Sequence, residues 1–394
     1  MYPSPSFGKR NGLIALAVIA SLLLVIVSSR HANQATIKKK AFGYAGPRTE
    51  AKESGVSPGS RAFSTPGQID YYCKAHKLKA YKSKDVGQSH RKIYDAFLFS
   101  NELDWLEIRL ATLAPYVDYF VIVEAPTTFT GREKPLYLEE NWDRFNRFHK
   151  KIIRKTVLDP GQSLGLSTWA HEGYFRNSVF DATFPSLVYT SKEAHEGDVV
   201  ILSDVDEIPK PETMKILRHC DVPDRLTLRS QFYYYSFQWL HVGEQWPHPQ
   251  ATVFHGLQNT LSPNDLRHGY GGPVSWIPFW GMINRWYQKA ELLDAAWHCS
   301  SCFATLDEMR KKMSSFSHTP LDTEENRNEA VMLRRVRTGQ DLFGRPGELY
   351  DRVDNNTDVP PFILKHEERF HYLLNRDGEN AGFSDYGAWE PPPT

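Results

Sequence analysis

Asp204 and Asp206 stand two residues apart at the end of an apolar run, Val199-Val200-Ile201-Leu202, within the stretch GDVVILSDVDEIP from Gly197 to Pro209. A turn at Gly197-Asp198 followed by consecutive β-branched residues predicts a buried strand. If the extended geometry holds to Asp206, alternation with period two puts both carboxylates on one side. Open α/β sheets collect their ligands outside the carboxyl ends of the strands, which is where these acids fall. Two carboxylates there repel unless a cation lies between them, and a hard divalent ion, Mg²⁺ or Mn²⁺, takes carboxylate and phosphate oxygens together. Glu207 adds a third acid. Two other readings compete: an exposed acidic turn or helix cap, and a phosphatase-type Asp-x-Asp whose first Asp is a nucleophile. The second has no companion motif, and the stretch lies in mid-chain after other strands.

The elements that position these acids read as alternating strand and helix. Tyr94–Ser100 predicts a strand, Asn101–Leu113 a helix with Leu103, Leu106, Leu110 and Leu113 at helical spacing and Asn101 as a cap, and Tyr119–Glu124 a second strand. Such a unit is expected to be right-handed and parallel. A Pro/Thr/Gly loop, a short strand around Ile152–Leu158 and a helix over Trp169–Val188 lead to the acidic strand. Asn101, Glu102 and Glu124 fall just past strand ends, where ribose or base hydrogen bonds are made in this architecture; capping and turn chemistry is the alternative for each. Arg176 offers a fork for a phosphate, or a salt bridge to Glu172 one turn back. Beyond Pro209 the strands look antiparallel, at Leu226–Leu240 and around Trp276–Trp286, with helices at Leu306–Met313 and Glu324–Thr338 and a final strand or docking segment at Phe362–Leu374. The aromatic run Phe232–Trp239 is either a platform on which a sugar ring stacks or a half-buried strand. His298 in AWHCSSCF is a candidate further ligand to a metal or diphosphate, with a core histidine as the alternative; His318 and His371 are weaker versions of the same idea.

Lys plus Arg and Asp plus Glu number 47 each in 394 residues, so no net charge points to nucleic acid. Nineteen uncharged residues separate Arg10 from Arg30, long enough to cross a bilayer. We read residues 1–10 as a cytoplasmic tail and 11–29 as a transmembrane signal anchor, with a cleaved signal peptide as the rival. Basic residues on both sides (Lys9 and Arg10; Arg30 and Lys38–Lys40) leave orientation open. Residues 30–91 read as a flexible stem with a short anchored piece at Ile69–Cys73, 92–380 as one catalytic domain, and 381–394 as a disordered tail. Cys73, Cys220, Cys299 and Cys302 allow one or two bridges in an oxidising compartment, and the Cys-x-x-Cys lacks both a thioredoxin-like context and a second pair for zinc. Asn355-Asn356-Thr357 is the one glycosylation sequon.

FSNELDWLEIRL (Phe99–Leu110), FVIVEAPTTFTG (Phe120–Gly131), HEGYFRN with Glu172, Arg176 and Asn177, ILSDVDEIP (Ile201–Pro209), AWHCSSCF (Ala296–Phe303) and ILKHEERFHYLL (Ile363–Leu374) together make the chain resemble glycosyltransferase family 17, the β-1,4-mannosyl-glycoprotein 4-β-N-acetylglucosaminyltransferase family. The resemblance covers about Lys92 to Asn375 and departs most in Leu240–Asn284, where an acceptor would be read. It implies a GT-A-like α/β domain with a mixed, mostly parallel sheet and helices on both faces. It implies a UDP-GlcNAc donor, an N-glycan acceptor with a mannose to be modified in inverting β-1,4 linkage, and Mn²⁺ or Mg²⁺ held by Asp204, Asp206 and His298. It also implies a single-pass type II protein of the Golgi membrane with a lumenal catalytic domain. The base that deprotonates the acceptor stays open among Glu102, Glu172 and Glu207. A non-catalytic lumenal glycan-binding protein on the same fold, or a transferase with another donor or acceptor, is the alternative.

Overall fold

The computed structural model describes residues 41–43, 63, 65–83, 90–128, 131–158, 168–270, 289–315 and 321–387. The expected tail and anchor (1–29), the strand around Trp276–Trp286 and His318 lie outside these residues. Among the described residues no helix is long and apolar enough to cross a membrane.

Helix α1 (Pro66–Ala75) starts on a capping box between Thr65 and Gln68 and lies inside the segment read as stem. Cys73 on α1 is bonded to Cys220, 147 residues away, so this part is fastened to the domain. Strand β1 (Ile93–Phe99), helix α2 (Leu103–Leu113), strands β2 (Tyr119–Glu124) and β3 (Ile152–Thr156), helix α3 (Thr168–Asp181) and strand β4 (Val199–Ser203) form the expected alternating half. The runs of Val, Ile and Phe are buried on both strand faces, as parallel strands covered by helices require. Register is fixed: Ile93 pairs with Val199 and Phe97 with Ser203, while Tyr94 pairs with Tyr119 and Phe99 with Glu124. The carboxyl ends of β1, β2 and β4 therefore share one edge. The cap of α2 differs from expectation, because Glu102 rather than Asn101 holds the N-cap position and its side chain makes no cap bond.

The second half adds β5 (Glu207–Pro209), α4 (Pro211–His219), β6 (Arg225–Tyr234), β7 (Ser236–His241), β8 (Gln250–Val253), α5 (Pro263–His268), β9 (Lys289–Ser300), α6 (Leu306–Ser315), α7 (Glu329–Thr338), β10 (Tyr350–Arg352) and α8 (Glu367–Leu374). Across the main sheet the order is β9-β6-β8-β4-β1-β2-β3. Only β8 in that row runs antiparallel to its neighbours; the region Leu226–Leu240, expected as antiparallel, splits into β6 and β7, which pair antiparallel, while β6 and β9 pair in parallel. The fold is thus mixed α/β with a large, mostly parallel sheet. The segment Phe362–Leu374, read as a strand or docking piece, is two short helices, Pro361–Lys365 and α8, whose Ile363, Phe370 and Leu373 are buried at helical spacing. Packing also runs past residue 380, the expected start of a disordered tail: Ala381 and Phe383 belong to a core with Tyr234, Tyr235, Trp239 and Met332. A second core fills the space between the sheet and α3, with Phe175, Val179, Phe180 and Val200.

Candidate active site

Asn101 and Glu102 after β1, Lys134 after β2, Glu172 and Arg176 on α3, and Asp204 and Asp206 after β4 line one cleft, with Lys312 of α6 on its far wall. The acids do not continue the strand. β4 stops at Ser203, and residues 204–206 form a turn closed by the Glu207 N–H donating to the Asp204 carbonyl at 3.1 Å. Arg109 of α2 explains the turn. Its guanidinium, fully buried, makes two bonds to Asp95 at 2.6 and 2.7 Å and donates to the carbonyl oxygens of Asp204, Val205 and Glu207 at 3.0, 3.2 and 2.7 Å. A strand would aim those carbonyls at a neighbour; the guanidinium gathers them instead. Both Asp204 and Asp206 still face the cleft.

Glu207 does not line the cleft, and it is fully buried. It accepts from the Asp204 N–H at 2.9 Å, from Trp246 Nε1 at 2.8 Å, and from both terminal nitrogens of Arg267 at 3.1 Å. Burial would raise its pKa, but Arg267, with His248 and His298 nearby, outweighs burial and holds the carboxyl far below the usual range. Arg267 also donates to Asp204 Oδ2 at 2.8 Å, so one guanidinium on α5 ties the two acids together. Neither Arg109 nor Arg267 is visible as a site residue in the sequence. Each is one basic residue among 47, and only the register of α2 and the fold of α5 onto β4 bring it to the acids.

The other sequence candidates divide. Glu102 is in the cleft and bonded to Lys312 Nζ at 3.1 Å; burial pushes its pKa up, but Lys312 and the Asn101 N–H outweigh that and lower it. Lys312 is raised in turn, with burial opposing and Glu102 and Asp206 prevailing, so the cleft keeps a fixed ammonium. Arg176 is paired to Glu172, and it also lies 3.9 Å from Asp204 Oδ1. Asn101 lines the cleft. Glu124 does not: it is buried under the edge, where Oε1 accepts from the Leu138 N–H at 3.0 Å and burial raises its pKa. That is the capping alternative, at the start of the short helix Tyr137–Glu140.

His298 reaches the site through strand pairing, since on β9 it stands opposite Glu207 on one side and Phe232 on the other. Its Nε2 is 3.7 Å from Asp206 Oδ2, beyond hydrogen-bond range and within the spacing of two ligands of one ion, and its buried Nδ1 has no partner. Among the described residues no three His, Cys, Asp or Glu side chains converge to hold an ion by themselves. Asp206 and His298 offer a carboxylate and an imidazole on the cleft side, while Asp204 is engaged on both oxygens, Oδ2 by Arg267 at 2.8 Å and Oδ1 by Arg176 at 3.9 Å. Cys299 and Cys302, directly after His298, are bonded to each other, and the Cys302 carbonyl accepts from Trp105 Nε1 at 3.0 Å. Of the aromatic run, Tyr233, Tyr234, Tyr235, Phe237 and Trp239 are buried, and Phe232 alone turns to the histidine, with which it stacks.

Two aspartates, two glutamates and three basic side chains thus line one strand-end cleft. The sequence model of glycosyltransferase family 17 matches residues 14–260 and 283–379. The β-1,4-mannosyl-glycoprotein 4-β-N-acetylglucosaminyltransferase of Homo sapiens is 26% identical over 318 residues, which covers 76% of this chain and 58% of that protein. The proteins of the same name from Rattus norvegicus (26% identical) and Mus musculus (25%) match over 303 residues, 72% of this chain and 54% of theirs. The chain thus spans little more than half the length of these relatives. With the match running through β1, the acidic turn, β9 and α8, the chain belongs to glycosyltransferase family 17.

Proposed function

We propose that the chain transfers N-acetylglucosamine from UDP-GlcNAc to a mannose of an N-glycan, with inversion to a β-1,4 linkage. The observation that carries this reading is that Asp204 and Asp206 line one strand-end cleft together with Arg176, Lys134 and Lys312. Asp206 and His298, with Asp204, would hold Mn²⁺ or Mg²⁺, which when bound supplies positive charge to the diphosphate. Lys312 and Arg176 bring fixed cations to the same negative charge, which grows as the bond between sugar and phosphate breaks. Asn101 lies where the nucleoside would be held. Glu207 acts as a positioning residue: it is withdrawn from the cleft and keeps the Asp204 backbone and Arg267 in place. Glu102 and Glu172 face the cleft as carboxylates, and one of them is the acceptor's base in this reading. Two disulfides and no free cysteine support an oxidising compartment, and the apolar stretch 11–29 supports a single-pass Golgi membrane protein with its domain in the lumen.

The test is UDP release by the full-length chain in detergent, from a panel of UDP-sugars with mixed N-glycans, with and without Mn²⁺. The expected result is metal-dependent release from UDP-GlcNAc with one N-acetylhexosamine added to the acceptor by mass. Asp206→Ala should abolish turnover while leaving the unfolding midpoint within about 1 kcal/mol, because it removes a cleft-facing group and no core volume. Near-normal turnover in that variant would sink the assignment of Asp206. No release from any donor, with glycan binding retained, would favour the non-catalytic reading.

A further inference from the structure

Phe232 on β6 and His298 on β9 are register partners, and their rings stack at 5.0 Å with 20° between planes. Trp246, from the loop between β7 and β8, closes against both, with ring centroids 5.4 Å from Phe232 and 5.0 Å from His298. Its position is fixed twice. The backbone of Trp246 exchanges two 3.0 Å hydrogen bonds with Ser230, and its indole N–H donates to Glu207 Oε1 at 2.8 Å. The neighbouring aromatics of β6 and β7 are buried in the core, whereas Phe232 and Trp246 are only half-buried. A large ring that is rigidly held yet left partly in water has surface to offer. Here that surface adjoins the acids, because the same His298 that touches Trp246 lies 3.7 Å from Asp206.

We infer that Trp246 is the wall on which the acceptor sugar rests. The C–H face of a hexose is apolar while its rim is polar, so a flat ring beside carboxylates binds it by the face and leaves its hydroxyls to the polar groups. This rests on the glycosyl-transfer reading above and adds to it the place of the acceptor. It also gives Glu207 a second task. One buried carboxylate holds the Asp204 N–H on the donor side and the indole on the acceptor side, so the two substrates are registered against a common group. The acid turn and the wall then move as one piece.

The experiment compares wild type, Trp246→Phe and Trp246→Ala in the full-length chain, reading the KM for acceptor and for UDP-GlcNAc separately. In parallel, saturation-transfer NMR with a free N-glycan reads whether the sugar touches the protein. Loss of a stacked ring is expected to raise acceptor KM about tenfold in W246A, with donor KM within about twofold. W246F keeps a ring face but no N–H, so it should keep acceptor KM within about threefold of wild type and retain the saturation transfer that W246A abolishes. Equal effects of both variants, or a rise in donor KM matching that for acceptor, would show that only the bond to Glu207 matters and overturn the proposal. So would unchanged acceptor KM in folded W246A. If wild type turns over no UDP-sugar, the transfer reading fails on its own. The NMR comparison still decides the wall: saturation transfer to the glycan in wild type that disappears in W246A supports it, and transfer that persists in W246A, or is absent in wild type, refutes it.

Discussion

Arg109→Met removes the group that shapes the acid turn, and the structure sets the size of the effect. Asp95, fully buried, loses both of the hydrogen bonds that Arg109 makes to its carboxylate. Removing one member of a buried pair costs about 3–5 kcal/mol. Three carbonyl oxygens and the Ser203 hydroxyl lose a donor as well, at about 1 kcal/mol each where no water takes over. With water taking over at those four oxygens, the stranded charge alone gives a loss of about 5 kcal/mol, a large part of the ~5–15 kcal/mol a domain possesses. At about 2–4 °C per kcal/mol for a domain of this size, Tm should fall by roughly 10–20 °C. Adding Asp95→Asn removes the stranded charge, and the double variant should recover more than half of the loss. It still has no donor for the turn carbonyls, so UDP release should stay down by about 100-fold, the scale of an ångström's misplacement. Differential scanning fluorimetry and the release assay read the two outcomes separately. A double variant no more stable than the single one would refute the charge argument, and one with wild-type turnover would refute the role of Arg109 in shaping the turn.

His255 sits between Asp224 and Glu196, both at 2.8 Å, and the Asp224 bond first, burial opposing, then the Glu196 bond raise its pKa to about 9. A folded pKa above the unfolded ~6.5 gives stability that is complete below pH 6.5 and lost as pH rises through about 9. Urea midpoints across that window should fall in wild type and fall less in His255→Gln; parallel curves would count against it. Replacing Cys73 and Cys220 by Ser opens a loop with a sequence separation of 147, for which chain entropy alone predicts a loss of about 5 kcal/mol. An unaltered urea midpoint under non-reducing conditions would show that the bridge contributes nothing to equilibrium stability. Asn355 is exposed, at φ 51° in a turn that Asn356 closes through Phe237 and Asp358. Expressed through a secretory pathway, the chain should lose mass on N-glycosidase treatment, and Asn355→Gln should abolish that shift; a shift that persists in the variant would contradict the sequon assignment.

The alternating half was legible because its strands are continuous apolar runs and its helix carries Leu at helical spacing, signals that tertiary context reinforces. The acids were found for the same reason, as the first charges after such a run. Their backbone was not, since an extended strand and a turn have identical residues here and the choice is made by Arg109, 95 residues upstream of Asp204. Glu124 and Glu207 show the same limit from the other side. Glu124 ends β2 and Glu207 opens β5, both at the edge where ligand residues lie, yet one accepts from the first turn of a short helix and the other lies beneath the acid turn. The parallel pairing of β6 with β9 was hidden because it joins segments far apart in the chain, with no hairpin to announce it. His298 illustrates what survives such distance: the motif AWHCSSCF and the resemblance it carries mark it as a ligand candidate, whereas its neighbours Phe232 and Glu207 are set only by register.

The bond between Cys73 and Cys220 also fixes where a pull on the chain is felt. Cys220 ends α4 beside Arg91 and Gly197, at the amino-terminal ends of β1 and β4, and Arg91 bonds the carbonyls of Gly197, Leu217 and Cys220. The cleft lies at the opposite ends of the same strands. Helix α1 therefore joins the domain at the end of the sheet away from the cleft. The α1 segment is joined there by the covalent bridge, by the Tyr72 hydroxyl donating to the Glu212 carbonyl at 3.2 Å and by the Tyr81 N–H donating to the His219 carbonyl at 2.8 Å, and none of these contacts involves Asp204 or Asp206.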